Sequence, residues 1–275
     1  MERAVIAGVD LGATLTKLAL GGEPGSRLRL PSRDLAAIRA QLRAWSPEVV
    51  ALTGGGAREL GASLAGGEIR LIPEFAAWTA GVATLAAEQG LTLPPEHLVV
   101  SLGTGTSILA VRPGGAERVG GTALGGGSFV GLSRLLGGTE SFAQAAELAA
   151  RGDRRRVDLL VGDVYPRGGI ALPPDLNAAS FAKLASTAAA DLAHAVAGMI
   201  GENVALLAMA HARAAGIDTV VYGGSTLDGN PALGGPLTLV TESLGGRALL
   251  LAEGAWCGAV GAARLAADAE AAPMR

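Results

Sequence analysis

The stretch Ser101–Gly131, SLGTGTSILAVRPGGAERVGGTALGGGSFVG, carries the features from which the fold of this chain is read. Leu98–Leu102 (LVVSL) is short and apolar enough for a β-strand. Gly103–Ser107 is the turn after it and Ile108–Val111 a second strand, so the segment predicts a hairpin. Glycines at 103 and 105 leave backbone N–H groups unobstructed, and Thr104, Thr106 and Ser107 add hydroxyl donors, so the turn can cradle an anion such as phosphate. Further on, Gly125-Gly126-Gly127-Ser128 precedes Phe129, Leu132, Leu135 and Leu136 at helical spacing, which places a second glycine loop at a helix N-terminus with its partial positive charge. Arg118 lies between the two loops. Either loop alone is equally well read as a tight turn; the two together, with hydroxyls and an arginine between them, favour a phosphate site.

Working outward, 275 residues suffice for one large domain or two closely packed ones, with a core that needs no disulfide or metal. The single cysteine, Cys257, excludes an internal disulfide framework and a cysteine-ligated cluster within one chain. It suits a reducing cytoplasm and reads as a small buried residue. A net charge of −3 leaves no basic footprint for nucleic acid, and Arg154-Arg155-Arg156 is expected to form a solvated helix face. The N-terminus shows no apolar signal-peptide region. The nearly uncharged run Leu192–Ala212 has Glu202 and Asn203 at its middle, so a buried helix of a soluble protein is expected rather than a membrane span. Of the 22 basic residues only Lys17 and Lys183 are lysines, so a lysine inside a candidate phosphate loop is not a product of composition.

In chain order, Ala4–Val9 is a nearly all-apolar strand that ends at Asp10. Asp10-Leu11-Gly12-Ala13-Thr14-Leu15-Thr16-Lys17 then reads as strand, tight turn, strand. The acid suits a hydrated magnesium ion, and Thr14 and Lys17 suit phosphate oxygens; an ordinary polar hairpin is the alternative. Ser32 is expected to cap a helix running to Trp45. The strand Val49–Leu52 closes in Thr53-Gly54-Gly55-Gly56 and opens a helix, Ala57–Leu64. Another strand, Ile69–Ile72, precedes Pro73 and a helix that starts at Glu74. Glu74 is either a first-turn acid favouring the helix dipole or a general base at a strand-to-helix junction. Helices are expected over Ser141–Arg151, Asp153–Val164 and Ser180–Ala215, the last broken at Gly198 or Gly201. His194 and His211 lack partners at ligand spacing and read as packing or surface residues. Asp218–Tyr222 is a strand ending in Gly223-Gly224-Ser225-Thr226, Leu249–Leu251 the last strand, and Gly254–Ala267 a closing helix. A strand ending in a glycine-rich polar turn thus recurs, which predicts an α/β protein of two similar halves, 1–97 and 98–275, with the last helix possible in either.

Asp-x-Gly-x-Thr-x-x-Lys at the N-terminus, Gly-Thr-Gly-Thr-Ser in the middle and Gly-Gly-Ser late in the chain resemble the phosphate and adenosine loops of the actin-like ATPase superfamily, which includes sugar kinases. Arg118-Val119-Gly120-Gly121-Thr122 through Leu124–Gly127, Ala149–Asp153, Glu253–Trp256 and Gly258–Ala262 resemble, within it, the type II pantothenate kinases. That resemblance implies two actin-like (ribonuclease H-like) halves with mixed sheets and an ATP cleft between them, and phosphorylation of pantothenate in a cytoplasmic homodimer. It makes Glu74 the catalytic base and Arg118 its companion. It assigns Asp10, Leu11, Gly12, Ala13, Thr14, Leu15, Thr16, Lys17, Thr104, Gly126, Gly127, Ser128, Phe129, Val130, Phe142 and Ser225 to ATP. Glu74, Thr104, Ser107 and Arg118 fall to the acceptor, and Asp10 to magnesium through water. Two departures stand out: Ala13 replaces a glycine common in the first loop, and Leu249-Leu250-Leu251 replaces a tyrosine-bearing run of some bacterial members. A sugar kinase would share the ATP loops but carry an aspartate base. A dehydratase activator would need a pair of cysteines per chain, and an actin-like scaffold would have no use for Glu74 and Arg118.

Overall fold

A computed structural model describes residues 4–21, 25–64, 67–167 and 169–271. The chain divides into two compact units, one of Met1–Pro95, Val111–Glu117 and Leu251–Arg275, the other of Glu96–Ala110 and Arg118–Leu250. Its elements begin β1 (Ile6–Leu11), β2 (Leu15–Leu20), β3 (Arg27–Pro31), α1 (Leu35–Trp45), β4 (Val49–Thr53), α2 (Ala57–Ser63), β5 (Glu68–Leu71) and α3 (Glu74–Glu88). There follow β6 (His97–Leu102), β7 (Thr106–Arg112), β8 (Gly115–Thr122), α4 (Gly126–Gly137), α5 (Phe142–Arg151), β9 (Leu159–Leu160), α6 (Val161–Val164), β10 (Asn177–Ala179) and α7 (Ala189–Ala215). β11 (Thr219–Gly223), α8 (Pro231–Ser243), β12 (Arg247–Leu250) and α9 (Cys257–Ala271) complete the chain.

The first unit is built on a five-stranded sheet of order β3-β2-β1-β4-β5. β1 pairs antiparallel with β2 and parallel with β4, which pairs parallel with β5. β1 is buried along its whole length because both faces of the sheet are covered, which is why its sequence is a continuous apolar run. Ala7, Val9 and Leu11 pack with Leu18, Val50 and Leu52 against Ile38, Leu42 and Leu60 of α1 and α2. Ile6, Val49 and Ala51 pack on the other face against Ala77 of α3 and Ala262, Ala263 and Ala266 of α9.

The second unit repeats the plan. Its sheet, β8-β7-β6-β11-β12, has the first sheet's order with β6 in the place of β1. β11 runs parallel to both β6 and β12, and the three-residue turn between β6 and β7 can join only antiparallel strands. The two similar α/β halves expected from the recurring strand-and-glycine pattern are therefore present. The large insertion is α4 to α7, and the core of this unit forms where α7 meets Phe129 of α4, Ala145 and Ala149 of α5, Leu233 and Leu237 of α8, and the sheet.

Several local expectations are corrected. The α1 cap is Asp34, whose carboxylate accepts the Ala37 N–H at 3.0 Å, and Ser32 does other work described below. Asp153–Val164 is not one helix but a 3-10 turn at Arg154–Arg156, the short β9 and the four-residue α6. Nor is the arginine triplet a solvated face: Arg154 is buried and donates to Glu202 and to the Asp175 carbonyl, each at 2.6 Å, whereas Arg155 and Arg156 are exposed. Pulling one guanidinium inward interrupts the helix. α7 starts at Ala189 and runs unbroken through both glycines. A Cβ at Gly198 would lie 2.5 Å from Arg154 Nη1, and one at Gly201 would lie 3.0 Å from the Leu233 carbonyl, so these glycines admit neighbours rather than end the helix. α7 is long and apolar enough to cross a membrane, but 72% of its most apolar window is buried within the protein. β3, β8 and α8 had no sequence signal strong enough to mark them.

Glu202 sits at the middle of α7, where burial raises its carboxyl above the usual range and Arg154 opposes the rise. Glu202→Leu should destabilise the second unit by about 3–5 kcal/mol, because it strands a buried guanidinium, and Arg154→Met combined with it should recover most of that loss. Hydrogen exchange at the α7 amides checks both. Arg155→Ala, at an exposed ion pair, should change protection by less than about 0.5 kcal/mol.

Candidate active site

Register alone assembles a polar row in the first unit. Asp10, the fifth residue of β1, is paired with Lys17 on β2 and with Thr53 on β4, and residues in register project to one face. The three form a polar row at the end of the face covered by α3 and α9. All are buried: Asp10 is 4% exposed, Lys17 8% and Thr53 1%. Lys17 Nζ lies 3.7 Å from Asp10 Oδ2. Burial pushes the Asp10 carboxyl up to about 6, against the attraction of Lys17, and the nearby charge of Glu74 adds to the rise. The structure thus pairs Asp10 with Lys17 and leaves Glu74 within electrostatic reach of Asp10. Glu74 is exposed in the first turn of α3, where Pro73 precedes it and its charge favours the helix dipole.

The connecting turn leaves Ala13 and Thr14 exposed, but not every residue of the loop faces outward. Leu11 packs in the α1/α2 core, and Thr16 is wholly buried with its hydroxyl 3.1 Å from Ser32 Oγ. Ser32 Oγ also donates to the Gly12 carbonyl at 2.7 Å, and its N–H donates to Thr14 O at 3.0 Å. Ser32 therefore braces the hairpin from the segment after β3, a role that no local pattern signals because its partners lie 16 to 20 residues away.

In the second unit, three loops at the ends of β6, β8 and β11 are joined by hydrogen bonds. The Gly103 carbonyl accepts from the Gly126 N–H and from Thr226 Oγ1, both at 2.8 Å. The Thr104 carbonyl accepts from the Gly127 N–H at 2.9 Å, and Thr106 Oγ1 donates to Leu124 O at 2.7 Å. This corrects the reading of two separate anion cradles. The first amides of α4 are committed to the β6–β7 turn, and the glycine loops pack on each other: a Cβ at Gly125 would lie 2.8 Å from Gly105 Cα. Thr104 is exposed on the turn, Ser107 half-buried on β7, and Ser128 half-buried with its hydroxyl on the Ala123 carbonyl at 2.9 Å. Val130 and Ser225 are half-buried, on α4 and in the loop after β11. Phe129, by contrast, is a core residue whose ring meets Phe142 edge-on at 5.6 Å, so any nucleotide contact it makes is through its backbone. Arg118 is exposed on β8 and its guanidinium lies over Gly121, where a Cβ would come within 2.4 Å of Nη2. His211 lies against Gly120 and His194 Nδ1 is 2.7 Å from the Gly152 carbonyl.

No group of three or more His, Cys, Asp or Glu side chains among the described residues is arranged to hold a metal ion. Magnesium does not require one, since it keeps several waters and takes one or two carboxylates together with phosphate oxygens. Asp10 fits that demand. Its carboxylate is buried against Gly258 of α9, where a Cβ would lie 2.7 Å from Cγ, and Lys17 is the cation beside it that offsets dehydration.

Comparison with known proteins points the same way. Residues 83–264 match the Fumble family. A type II pantothenate kinase of Bacillus cereus (strain G9842) is 34% identical over 274 residues, spanning 95% of this chain and 98% of that protein. Among solved structures, the activator of 2-hydroxyisocaproyl-CoA dehydratase from Clostridium difficile with bound ADPNP superposes with a TM-score of 0.62 at 13% identity, over 96% of this chain and 95% of that one. A ROK family glucokinase from Streptomyces griseus in complex with glucose and AMPPNP gives 0.60 at 14% identity, over 95% and 98%. At such identities the solved structures establish the fold, an actin-like ATPase architecture, and nothing more. The identity to the curated relative, sustained over nearly the whole of both chains, establishes the family: this chain belongs to the Fumble family, among the type II pantothenate kinases.

Proposed function

We propose that the protein transfers the γ-phosphoryl group of ATP to the primary hydroxyl of pantothenate, giving 4'-phosphopantothenate for coenzyme A synthesis. One observation carries the reading from family to chemistry: Glu74 stands at a helix start within electrostatic reach of Asp10, the acid that Lys17 pairs with. A base beside a phosphate-binding lysine and a magnesium-binding acid is the set that phosphoryl transfer to an alcohol needs. Glu74 takes the proton of the attacking hydroxyl. Lys17 and the hydroxyl of Thr14 hold phosphate oxygens, and Arg118, with Thr104 and Ser107, orients the acceptor or stabilises developing charge. Asp10 is the residue that would hold the waters of a magnesium ion, which would supply neutralisation of phosphate charge during transfer. Leu11, Phe129 and Val130 support the nucleotide through their backbone and packing, and Gly12, Ala13, Gly126, Gly127, Ser128 and Ser225 line its approach. We place the enzyme in the cytoplasm as a homodimer, on the family resemblance.

The dehydratase-activator reading finds no support in the residues, since the one cysteine is buried, with its thiol pushed up by burial. A panel of pantothenate, pantetheine, glucose, N-acetylglucosamine and water in an ADP-release assay separates the remaining readings. Pantothenate-dependent release is expected; release with glucose alone would overturn the assignment.

Glu74→Gln should lower turnover about 10²- to 10⁴-fold, the usual loss on removing a base. Its ATP affinity by calorimetry should stay near that of the parent, because the amide keeps the side chain's shape. Turnover near the parental rate would remove Glu74 from the chemistry. Arg118→Lys should impair pantothenate-dependent turnover while leaving ATP affinity and thermal midpoint unchanged, since lysine keeps the charge but loses the planar fork. A fully active Arg118→Lys enzyme would show that the guanidinium serves no acceptor.

A further inference from the structure

Thr53 is the member of the Lys17–Asp10–Thr53 row for which neither the family resemblance nor the packing has a use. It ends β4 directly beside Asp10, on the face shared with Lys17. The side chain is 1% exposed, and its hydroxyl makes no hydrogen bond among the described residues. A buried hydroxyl without a partner is costly to keep, and valine, of nearly the same shape, would fill the same space without that cost. Asp10 shows where the hydroxyl finds its use. Oδ2 is the oxygen approached by Lys17, while Oδ1 is turned toward β4: a Cβ at Gly54, the next residue after Thr53, would lie 2.8 Å from it. Neighbouring strands are ~4.8 Å apart, a span that one water crosses with hydrogen bonds of ~2.8 Å at each end.

We infer that Thr53 is a positioning residue whose hydroxyl, with Asp10 Oδ1, holds a water of the hydrated magnesium that accompanies the nucleotide. That water donates one hydrogen to the carboxylate and the other to Thr53 Oγ1. Lys17 meanwhile occupies Oδ2 and faces the phosphate side. The row thereby sorts three tasks across three adjacent strands: phosphate charge on β2, cation charge on β1, orientation of the cation's water on β4. The inference rests on the reading of the first unit as a magnesium–nucleotide site.

The test is calorimetric titration of the full-length protein with ADP, in magnesium and again in excess EDTA, for the parent, Thr53→Val and Thr53→Ser. Thr53→Val should bind ADP about tenfold more weakly in magnesium, the loss expected for one hydrogen bond in a charged site, and equally well in EDTA. Its thermal midpoint without nucleotide should be unchanged or higher. Thr53→Ser, which keeps the hydroxyl, should stay within about threefold of the parent in both titrations. Parental affinity of Thr53→Val in magnesium overturns the inference. So does a loss in EDTA as large as in magnesium, and so does a lowered midpoint or a failure to fold, because each assigns the hydroxyl a structural duty. A parent that binds no ADP under either condition instead overturns the nucleotide-site reading itself.

Discussion

Direct backbone contact of α9 with β1 and α3 is the constraint on which the first unit depends. A Cβ at Gly8 of β1 would lie 1.9 Å from the Ala259 carbonyl oxygen, one at Gly81 of α3 would lie 1.8 Å from that of Cys257, and one at Gly261 of α9 would lie 1.7 Å from that of Ala77. No larger residue fits any of these positions, because the obstacle is backbone and cannot swing aside. Such close seating removes water from the last residues of the α3/α9 face. Asp10 lies there with the start of α9 against it, and its raised pKa is the consequence. The carboxylate is held dehydrated and partly compensated, a condition that a bound cation relieves. Binding sites are where a fold tolerates such local disagreement with stability.

The second unit positions its loops by a different device. Hydrogen bonds, not backbone proximity alone, hold the ends of β6, β8 and β11, and the Gly103 carbonyl is the shared acceptor for two of the three loops. Using both lone pairs of one carbonyl fixes the spacing of α4 and of the turn after β11 relative to the turn after β6. The same unit buries the Arg154–Glu202 pair, with the Asn177 N–H also donating to the glutamate at 3.1 Å. That arrangement ties the long excursion between α5 and α7 to the middle of the core helix. Its worth lies in specifying where the excursion docks more than in net stability.

Much of the site was legible where chemistry and local geometry coincide. The end of a strand with an acid, a turn with glycine and a lysine just beyond are adjacent in sequence, so Asp10 and Lys17 could be paired by counting residues across a hairpin. Glu74 was visible as a proline-preceded first-turn acid, and the structure bears out that placement, which leaves its exposed carboxylate free for the role proposed above. Where the partners are distant the sequence was mute or misleading. Ser32 reads as a helix cap because serine before an apolar repeat usually is one, yet it bonds back to the β1–β2 hairpin. Arg154 reads as surface because arginine among arginines usually is, yet its partner is Glu202, 48 residues on.

By itself, then, the sequence determined the α/β alternation, the twofold repeat of strand and glycine turn, and the identity of the charged groups at the strand ends. These follow from periodicity and from the conformations that glycine alone permits, both local properties of the chain. Only the tertiary structure decided the rest: that α9 closes over β1, that the α4 amides are committed to the β6–β7 turn, and that Thr53 stands beside Asp10. The physical reason is the same in each case. Strand register, loop pairing and helix docking bring together residues separated by 23 to about 250 positions, and nothing in the local pattern encodes which glycine receives which backbone or which buried hydroxyl is left without a partner.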